Sequence, residues 1–346
     1  MLHCTNYPAG GQSFFSPRYG FVCDNVQLFE IVLASGEITQ AYPRKTNPDQ
    51  PGKNEDLFWA LKGGSNNFGI VTRIDFSTFR QELLWGGNIF YSFQSALNAL
   101  EPLVALNARQ PYDEDAIVLA RISYDGYFGV RGSNTFHYAK PIPHPPIFTG
   151  WGRSDIYKTS ESLRTTFESA LVSEQLDSDP QKKRSFTNTV TIKNDLPLLQ
   201  KILNLWNSTI AANSIPKVDG VAYGLQLMPM PPAISSKSIA TGGNSLGINP
   251  ADGPLMIIQI YANWFQASDD SLIETVAGKL LDNIRTEARK ANKLSPYVDL
   301  NYANKGQDVW TGRGIVNLAK LKAVSLKYDP QGVFQKQVLG GFKLPF

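Results

Sequence analysis

Cysteine and histidine are nearly absent from this chain, and several chemistries go with them. Among 346 residues only Cys4 and Cys23 carry thiols, so neither a disulfide framework nor a thiolate metal cage can be assembled. The three histidines, His3, His137 and His144, are too few and too scattered for a zinc site or a histidine relay. Two of them flank Pro141, Pro143, Pro145 and Pro146, where surface-loop positions are the simplest reading. Phosphate loops are missing as well. Gly150-Trp151-Gly152 and Gly312-Arg313-Gly314 lack the third glycine of G-x-G-x-x-G, and no G-x-x-x-x-G-K-[ST] occurs, which disfavours nicotinamide Rossmann proteins and P-loop hydrolases.

Charge of one sign is lacking too. The excess of 33 basic over 30 acidic residues leaves a formal net charge of +3, and the one dense basic run, Lys182-Lys183-Arg184, lies in a polar stretch. Neither nucleic acid nor a membrane surface is an expected partner. The longest apolar stretch, Pro254 to Phe265, is interrupted by Gln259 and Asn263 and falls short of the ~20 residues a membrane span needs. Met1-Leu2-His3-Cys4 has no apolar core behind it, so no secretory signal is read there. With 42% hydrophobic and 18% charged residues the composition is that of a globular protein long enough for two domains.

The first part of the chain reads as a β-meander. Val26 to Leu33 is β-rich, Ser35-Gly36 turns, and Glu37 to Ala41 alternates as a return arm. A short helix over Leu57–Leu61, capped by Asn54 or Asp56, stops at Gly63-Gly64. A strand follows, with Ile70, Thr72, Ile74 and Phe76 expected on one face. In the middle, Ala116–Tyr124, Tyr127–Tyr138, Gly220–Met228 and Pro254–Phe265 read as strands of an antiparallel sheet. Between them lie two helices. Asp195 caps one with Leu199, Ile202, Leu203, Trp206 and Ile210 on a stripe, and Ser268 caps one carrying Ile273, Val276, Ala277, Leu280, Leu281, Ile284 and Ala288. Segments 43–54 and 177–188 read as loops, and the sequon Asn207-Ser208-Thr209 falls inside a helix.

Gly/Asn clusters stand at the strand ends: Gly10-Gly11, Asp24-Asn25, Gly63-Gly64-Ser65-Asn66-Asn67-Phe68-Gly69-Ile70-Val71-Thr72, Asn301-Tyr302 and Asn317. Three stretches carry a resemblance. These are the opening turn through Gly20 to Val26, Asp56 to Thr72, and Asn301-Tyr302-Ala303 through Lys327-Tyr328-Asp329-Pro330. Together they resemble the berberine bridge enzyme-like flavin oxidoreductases of the vanillyl-alcohol oxidase superfamily, and most of all the fungal branch. The likeness covers nearly the whole chain but starts partway into the family's FAD domain. It implies an α+β fold: the C-terminal half of a PCMH-type FAD-binding domain plus a substrate domain with an antiparallel sheet backed by helices. The implied boundaries are 1–82 for the FAD-domain remnant, 83–295 for the substrate domain and 296–346 for a return to the first domain. The family's cysteine anchor aligns ahead of Met1, Cys4 is too close to the turn to replace it, and Met1 to Tyr7 is open to being read as a non-native start.

By the same resemblance, Gly10, Gly11, Asn25, Gly69, Ile70, Val71, Asn301 and Asn317 are candidate contacts to a non-covalent FAD. Gln259 looks like the family position that holds either a glutamate base or a glutamine. An amide cannot take up a proton at neutral pH, so Tyr302 is the candidate base and Gln259 orients a small-molecule alcohol or amine, with O₂ or another acceptor receiving the electrons. Gln12, where plant members carry tyrosine, and Asp299, where an aromatic residue is usual, depart from the family. Tyr223, Gln226, Met228, Asn244 and Trp264 are expected to line the pocket. Without the resemblance, the glycines fit plain turns, Gln259 a hydrogen-bonded strand and Tyr302 a packing position. The rival functions are a truncated, catalytically inert member and a small-molecule binding module.

Overall fold

The β-rich run after Asn25 forms β1 (Val26–Val32), reverses through Gly36, whose φ of 84° suits glycine, and returns as β2 (Ile38–Ala41) with Val32 opposite Ile38. The computed structural model describes residues 10–44, 51–151, 155–156, 158–166, 168–169 and 184–346. His3, Cys4, the stretch Met1 to Tyr7, Gly152 and Lys182-Lys183 lie outside them. A four-residue helix, α1 (Ser16–Tyr19), precedes β1, and α2 (Glu55–Leu61) follows β2 with Leu57, Phe58, Trp59, Ala60 and Leu61 all buried. Asn54 stands at the cap position but does not cap. It holds a left-handed conformation with φ 50°, and its Nδ2 donates to the Gln40 carbonyl at 2.9 Å. The expected strand is β3 (Ile70–Phe76), hydrogen-bonded to β1 on the side away from β2. Its alternation is broken: Glu30 faces Arg73 and Ile31 faces Val71, so Thr72 is an extra, bulged residue. The bulge sends Val71 inward with Ile74 and Phe76 and leaves Ile70 60% exposed, against the single face expected for Ile70, Thr72, Ile74 and Phe76.

The larger sheet holds the four expected middle strands and others that the pattern did not announce. Its members are β4 (Leu84–Tyr91), β5 (Ala116–Asp125), β6 (Gly129–Tyr138), β7 (Lys158–Thr159), β8 (Ser162–Arg164), β9 (Arg184–Lys193), β10 (Ala222–Met230) and β11 (Leu255–Trp264). They run in the order β7-β4-β6-β5-β10-β11-β9, with β8 also on β4, and every pairing is antiparallel. Residues 184–188, expected in a loop, begin β9 instead.

One face of this sheet is backed by helices. These are α3 (Phe93–Asn98), α4 (Leu100–Ala108), α5 (Leu196–Ala212) and, after α6 (Pro232–Ala240), α7 (Asp270–Lys290). Asp195 caps α5 through Leu198 N–H at 3.0 Å. The stripe Ile273, Val276, Ala277, Leu280, Leu281, Ile284 and Ala288 of α7 is buried throughout. Ser268 does not cap α7. The chain enters through a 3₁₀ turn, Ala267–Asp269, and Asp270 accepts from Trp264 Nε1 at 2.9 Å and pairs with Arg184. Beyond residue 296 the chain leaves the large sheet. In α8 (Ile315–Tyr328), Leu321 and Val324 pack with Trp310 and Leu344 into the cluster of Phe29, Ile31, Leu57 and Phe68. The last segment thus completes the core that the first began.

Candidate active site

Period two divides the large sheet into a dry face and a polar one. Tyr223, Leu225, Leu227, Ile258, Ile260 and Ala262 join the helix-backed core. Their sequence neighbours point the other way. Cross-strand partners share a face, and the register sets Arg121 opposite Gln226, Gln226 opposite Gln259 and Gln259 opposite Thr189. Arg121 Nε donates to Gln226 Oε1 at 2.6 Å. Gln259 Nε2 donates to Thr187 Oγ1 at 3.2 Å, and that hydroxyl donates to the carbonyl of Tyr302 at 2.9 Å. The two residues expected to carry catalysis are thereby one side chain apart.

Tyr302 is held there by its own loop. Asp299 Oδ1 accepts from Asn301 N–H at 2.9 Å and Nδ2 at 3.0 Å, and Tyr302 N–H donates to the Asp299 carbonyl. Burial pushes the Asp299 carboxyl above its ordinary pKa against these hydrogen bonds. Gln307 then clips the loop to β9: its Oε1 accepts from Thr189 N–H at 2.9 Å and its Nε2 donates to the Thr189 carbonyl at 2.7 Å. Nothing in the residue pattern marked Gln307 or Thr187. The alternation of Thr187 and Thr189 with Val190 and Ile192 would have shown β9, had the polar residues before it not suggested a loop.

Facing this row is a wall built from the ends of the chain. Gly10 and Gly11 hold φ of 101° and 76°, and their carbonyls accept from Cys23 and Val22 N–H, each at 2.9 Å. A Cβ on Gly10 would lie 2.9 Å from Leu246, and one on Gly63 would crowd Leu246 and Ser245. Leu246 belongs with Met228 and Ile257 to one apolar cluster. Those two lie two residues along their strands from Gln226 and Gln259, about 7 Å. Behind this contact a fully buried ion pair, Lys62 to Asp24 at 3.4 Å, is satisfied further by Ser238 at 2.6 Å and Asn244 at 3.0 Å on Asp24, and by the Thr241 carbonyl on Lys62. Arg313 reaches in beside it. Its Nη1 donates to the carbonyls of Gly63 at 2.7 Å and Ser245 at 3.1 Å, and burial lowers its pKa to about 10.

The structure gathers some expected residues and separates others. Asn301 lies in the Tyr302 loop, and Asn317 at the start of α8 donates to the Arg313 carbonyl at 3.1 Å. Asn25 gives its amide to the carbonyls of Tyr19 and Phe21, both at 3.0 Å, and so holds the opening turn. Gly69, Ile70 and Val71 lie at the opposite end of β1 from Gly10 and Gly11, because Val32 pairs with Ile70 while Val26 pairs with Phe76. Six strand steps separate the ends, about 20 Å, so one hollow does not hold both sets, and only an extended ligand could touch both. Tyr223 and Trp264 do not line this face. Tyr223 is stacked on Trp206 with centroids 6.2 Å apart and Trp264 is bonded to Asp270, both on the helix side, since their parity is opposite to that of Gln226 and Gln259. Asn244 is spent on Asp24. A G-x-S-x-G pattern, Gly243-Asn244-Ser245-Leu246-Gly247, also occurs. Ser245 is wholly buried and donates to the Lys62 carbonyl at 3.1 Å, which is no nucleophile elbow.

Two buried donors test whether this wall suits a flavin. Gln12 Nε2, directly after the glycine pair, and Arg313 Nη2 have no hydrogen-bond partner, a costly condition that a ligand offering acceptors relieves. The carbonyl and nitrogen edge of a flavin pyrimidine ring is such a ligand, and positive-φ glycines let a flat ring approach the main chain. The residues fit. Among the described residues, no group of three or more potential metal ligands occurs, and no helix is long and apolar enough to cross a membrane.

No protein-family model matches the chain. Curated relatives do. The FAD-dependent monooxygenase drtC of Aspergillus calidoustus is 34% identical over 97% of this chain and 62% of its own length. FAD-dependent monooxygenase sdcF of Emericella nidulans is 32% identical over 98% of this chain and 69% of its length, and elcE of Phaeosphaeria nodorum, of the same description, is 30% identical over 96% and 97%. An oligopeptidase, PhomG' of Diaporthe leptostromiformis, is 36% identical, but the match spans 27% of that protein. The chain thus spans less than two thirds of drtC and of PhomG'. Among solved structures, 6-hydroxy-D-nicotine oxidase of Arthrobacter nicotinovorans matches with TM-score 0.67 at 17% identity, covering 96% of this chain and 69% of that one. Xylooligosaccharide oxidase of Myceliophthora thermophila matches with TM-score 0.70 at 19% identity, covering 95% and 68%. These structural likenesses show the fold, and the curated relatives support FAD as cofactor. The chain has the fold of the BBE-like and oligosaccharide oxidase structures and belongs to the family of the fungal FAD-dependent monooxygenases sdcF and elcE.

Proposed function

We propose that this protein oxidises an alcohol or amine carbon by hydride transfer, with segments 1–82 and 296–346 forming the flavin side and 83–295 the substrate side. When bound, FAD supplies the two-electron acceptor at N5. Tyr302, in its phenolate form, takes the O–H or N–H proton as that bond is broken and becomes the neutral phenol. Gln259 commits its Nε2 to Thr187, which turns its Oε1 toward a substrate donor, and Thr187 ties that amide to the Tyr302 main chain. Gln12 and Arg313 would hold the cofactor's acceptor edge, with Gly10, Gly11 and Asn301 beside it. Gly69, Ile70 and Val71 would meet its remote end. The link is non-covalent, since Cys23 is buried and its thiol is pushed well above its ordinary pKa by that burial. O₂ or another acceptor reoxidises the cofactor. The inert reading has little support, because elcE has nearly the same extent and is described as a monooxygenase.

The observation that carries this reading is the hydrogen-bonded chain Gln259–Thr187–Tyr302. Its test is the rate at which a substrate, found by screening alcohols and amines, bleaches the flavin-loaded protein without oxygen. Tyr302→Phe should slow bleaching by roughly 10²- to 10⁴-fold, the span of general-base catalysis, while flavin content stays unchanged. Bleaching at the wild-type rate removes Tyr302 from the chemistry.

A further inference from the structure

The end of β1 remote from Gly10 and Gly11 holds a cation that the proposed oxidation does not use. Asn67 is wholly buried there, and its Nδ2 donates to the carbonyls of Gly64 at 2.8 Å and Phe342 at 3.0 Å. Its Oδ1 accepts from Leu344 N–H at 3.2 Å, and Gln335 holds the same N–H at 3.3 Å and the Asn67 carbonyl at 3.0 Å. Lys343, between the two clasped residues, is thereby laid against the loop that leads into β3. Its Nζ donates to the Asn66 carbonyl at 3.4 Å, three residues before Gly69 and so within about 10 Å of it. Burial lowers the pKa of this ammonium, and no neighbouring acid raises it. The acids of β1 and β3, Glu30 and Asp75, lie against Arg73 instead, at 3.8 and 3.0 Å. Gly69 is pressed onto β1, where a Cβ would meet Ile31 and the Val32 carbonyl at 2.6 Å, while among the described strands β3 has no neighbour on its other edge. Ile70 on that strand is exposed, and Asn66 Oδ1 is buried with no hydrogen-bond partner.

We infer that Lys343 is a phosphate anchor for an adenine nucleotide: its ammonium meets a phosphate in the adenosine half of the cofactor, while the nucleoside lies along Ile70 and the open edge of β3. This rests on the cofactor reading of Gly69, Ile70 and Val71. An ammonium on a flexible stem is a point charge suited to a phosphate, and it gains from that anion a charge-assisted hydrogen bond that the neutral Asn66 carbonyl does not supply. Exposed Ile70 gives a flat base an apolar surface, and Asn66 Oδ1 offers an acceptor to a ribose hydroxyl. The rival role, a tether that only fastens residues 340–344 to the loop 64–67, makes no distinction between a nucleotide and its nucleoside.

The test uses the full chain, dialysed against bromide until flavin absorption is gone, and calorimetric titration with ADP, adenosine and inorganic phosphate, for wild type, Lys343→Gln and Lys343→Arg. ADP should bind wild type about tenfold or more tighter than adenosine, a difference of ~1.4 kcal/mol, and tighter than phosphate. Lys343→Gln should abolish the preference and leave adenosine binding unchanged, and Lys343→Arg should retain part of it. Equal affinities for ADP and adenosine, phosphate binding as tightly as ADP, no binding of any probe, or a preference that survives Lys343→Gln overturns the assignment. Flavin content, read by acid release before dialysis, is a separate result. Colourless protein with a Lys343-dependent preference would sink the flavin reading and keep the nucleotide site, whereas yellow protein without the preference keeps the flavin and removes Lys343 from its binding.

Discussion

His137 shows how a single residue escapes its sequence reading. Its neighbourhood of prolines suggests a surface loop, yet its ring is 4% exposed at the end of β6, stacked on Phe14 with centroids 3.6 Å apart, and neither ring nitrogen has a partner. Burial lowers its pKa from 6.5 to about 3. Between those values the unfolded chain binds a proton that the folded one does not. The stability His137 contributes is therefore complete above pH 6.5 and is lost as pH falls toward 3, at up to about 1.4 kcal/mol per pH unit. His137→Phe keeps the stack and removes the proton. Denaturant midpoints measured across that range should fall less steeply in the variant than in wild type, and parallel curves would contradict this. Motifs marked Gln259 and Tyr302 as candidates, but the Thr187 bridge that brings them together was not legible, since a lone threonine in a strand has no signature until the register supplies its neighbours.

At the scale of elements, the long periodic segments were the legible ones. The α7 stripe and the β1–β2 hairpin follow from 3.6- and two-residue periods with a glycine turn between strands. Where a third party intervened, the pattern misled. The Thr72 bulge shifted the faces of β3, and Asp270 was taken by Arg184 and Trp264 from the neighbouring strands. The loop 299–307 depends on such a partner. Gln307 replaces a missing strand neighbour for Thr189, so Gln307→Leu would leave the Thr189 N–H and carbonyl buried and unpaired. Roughly 2–4 kcal/mol of stability should be lost, and protease sensitivity at residues 299–307 should rise before global unfolding. A change below ~0.5 kcal/mol would mean that the clip is dispensable.

For the whole molecule, the fold class was legible because both sheets and their helices repeat simple patterns, while the arrangement of the two walls was not. Gly10, Leu246, Gly63 and Arg313 come together from four distant parts of the chain. No local rule foretells that Asp24 and Lys62 seal the seam behind them. The same assembly sets Gly69–Val71 a strand length away from Gly10 and Gly11, which fits an extended dinucleotide better than a single flat ring. The wall of Gly10, Gly11, Gln12 and Arg313 is the central claim, and flavin content decides it. Purified protein should carry close to one FAD per chain, released into the supernatant by acid precipitation, and Gly10→Val, which drives side-chain atoms into Leu246, should lower that content severalfold. A colourless protein, or a yellow pellet with a clear supernatant, would contradict the account.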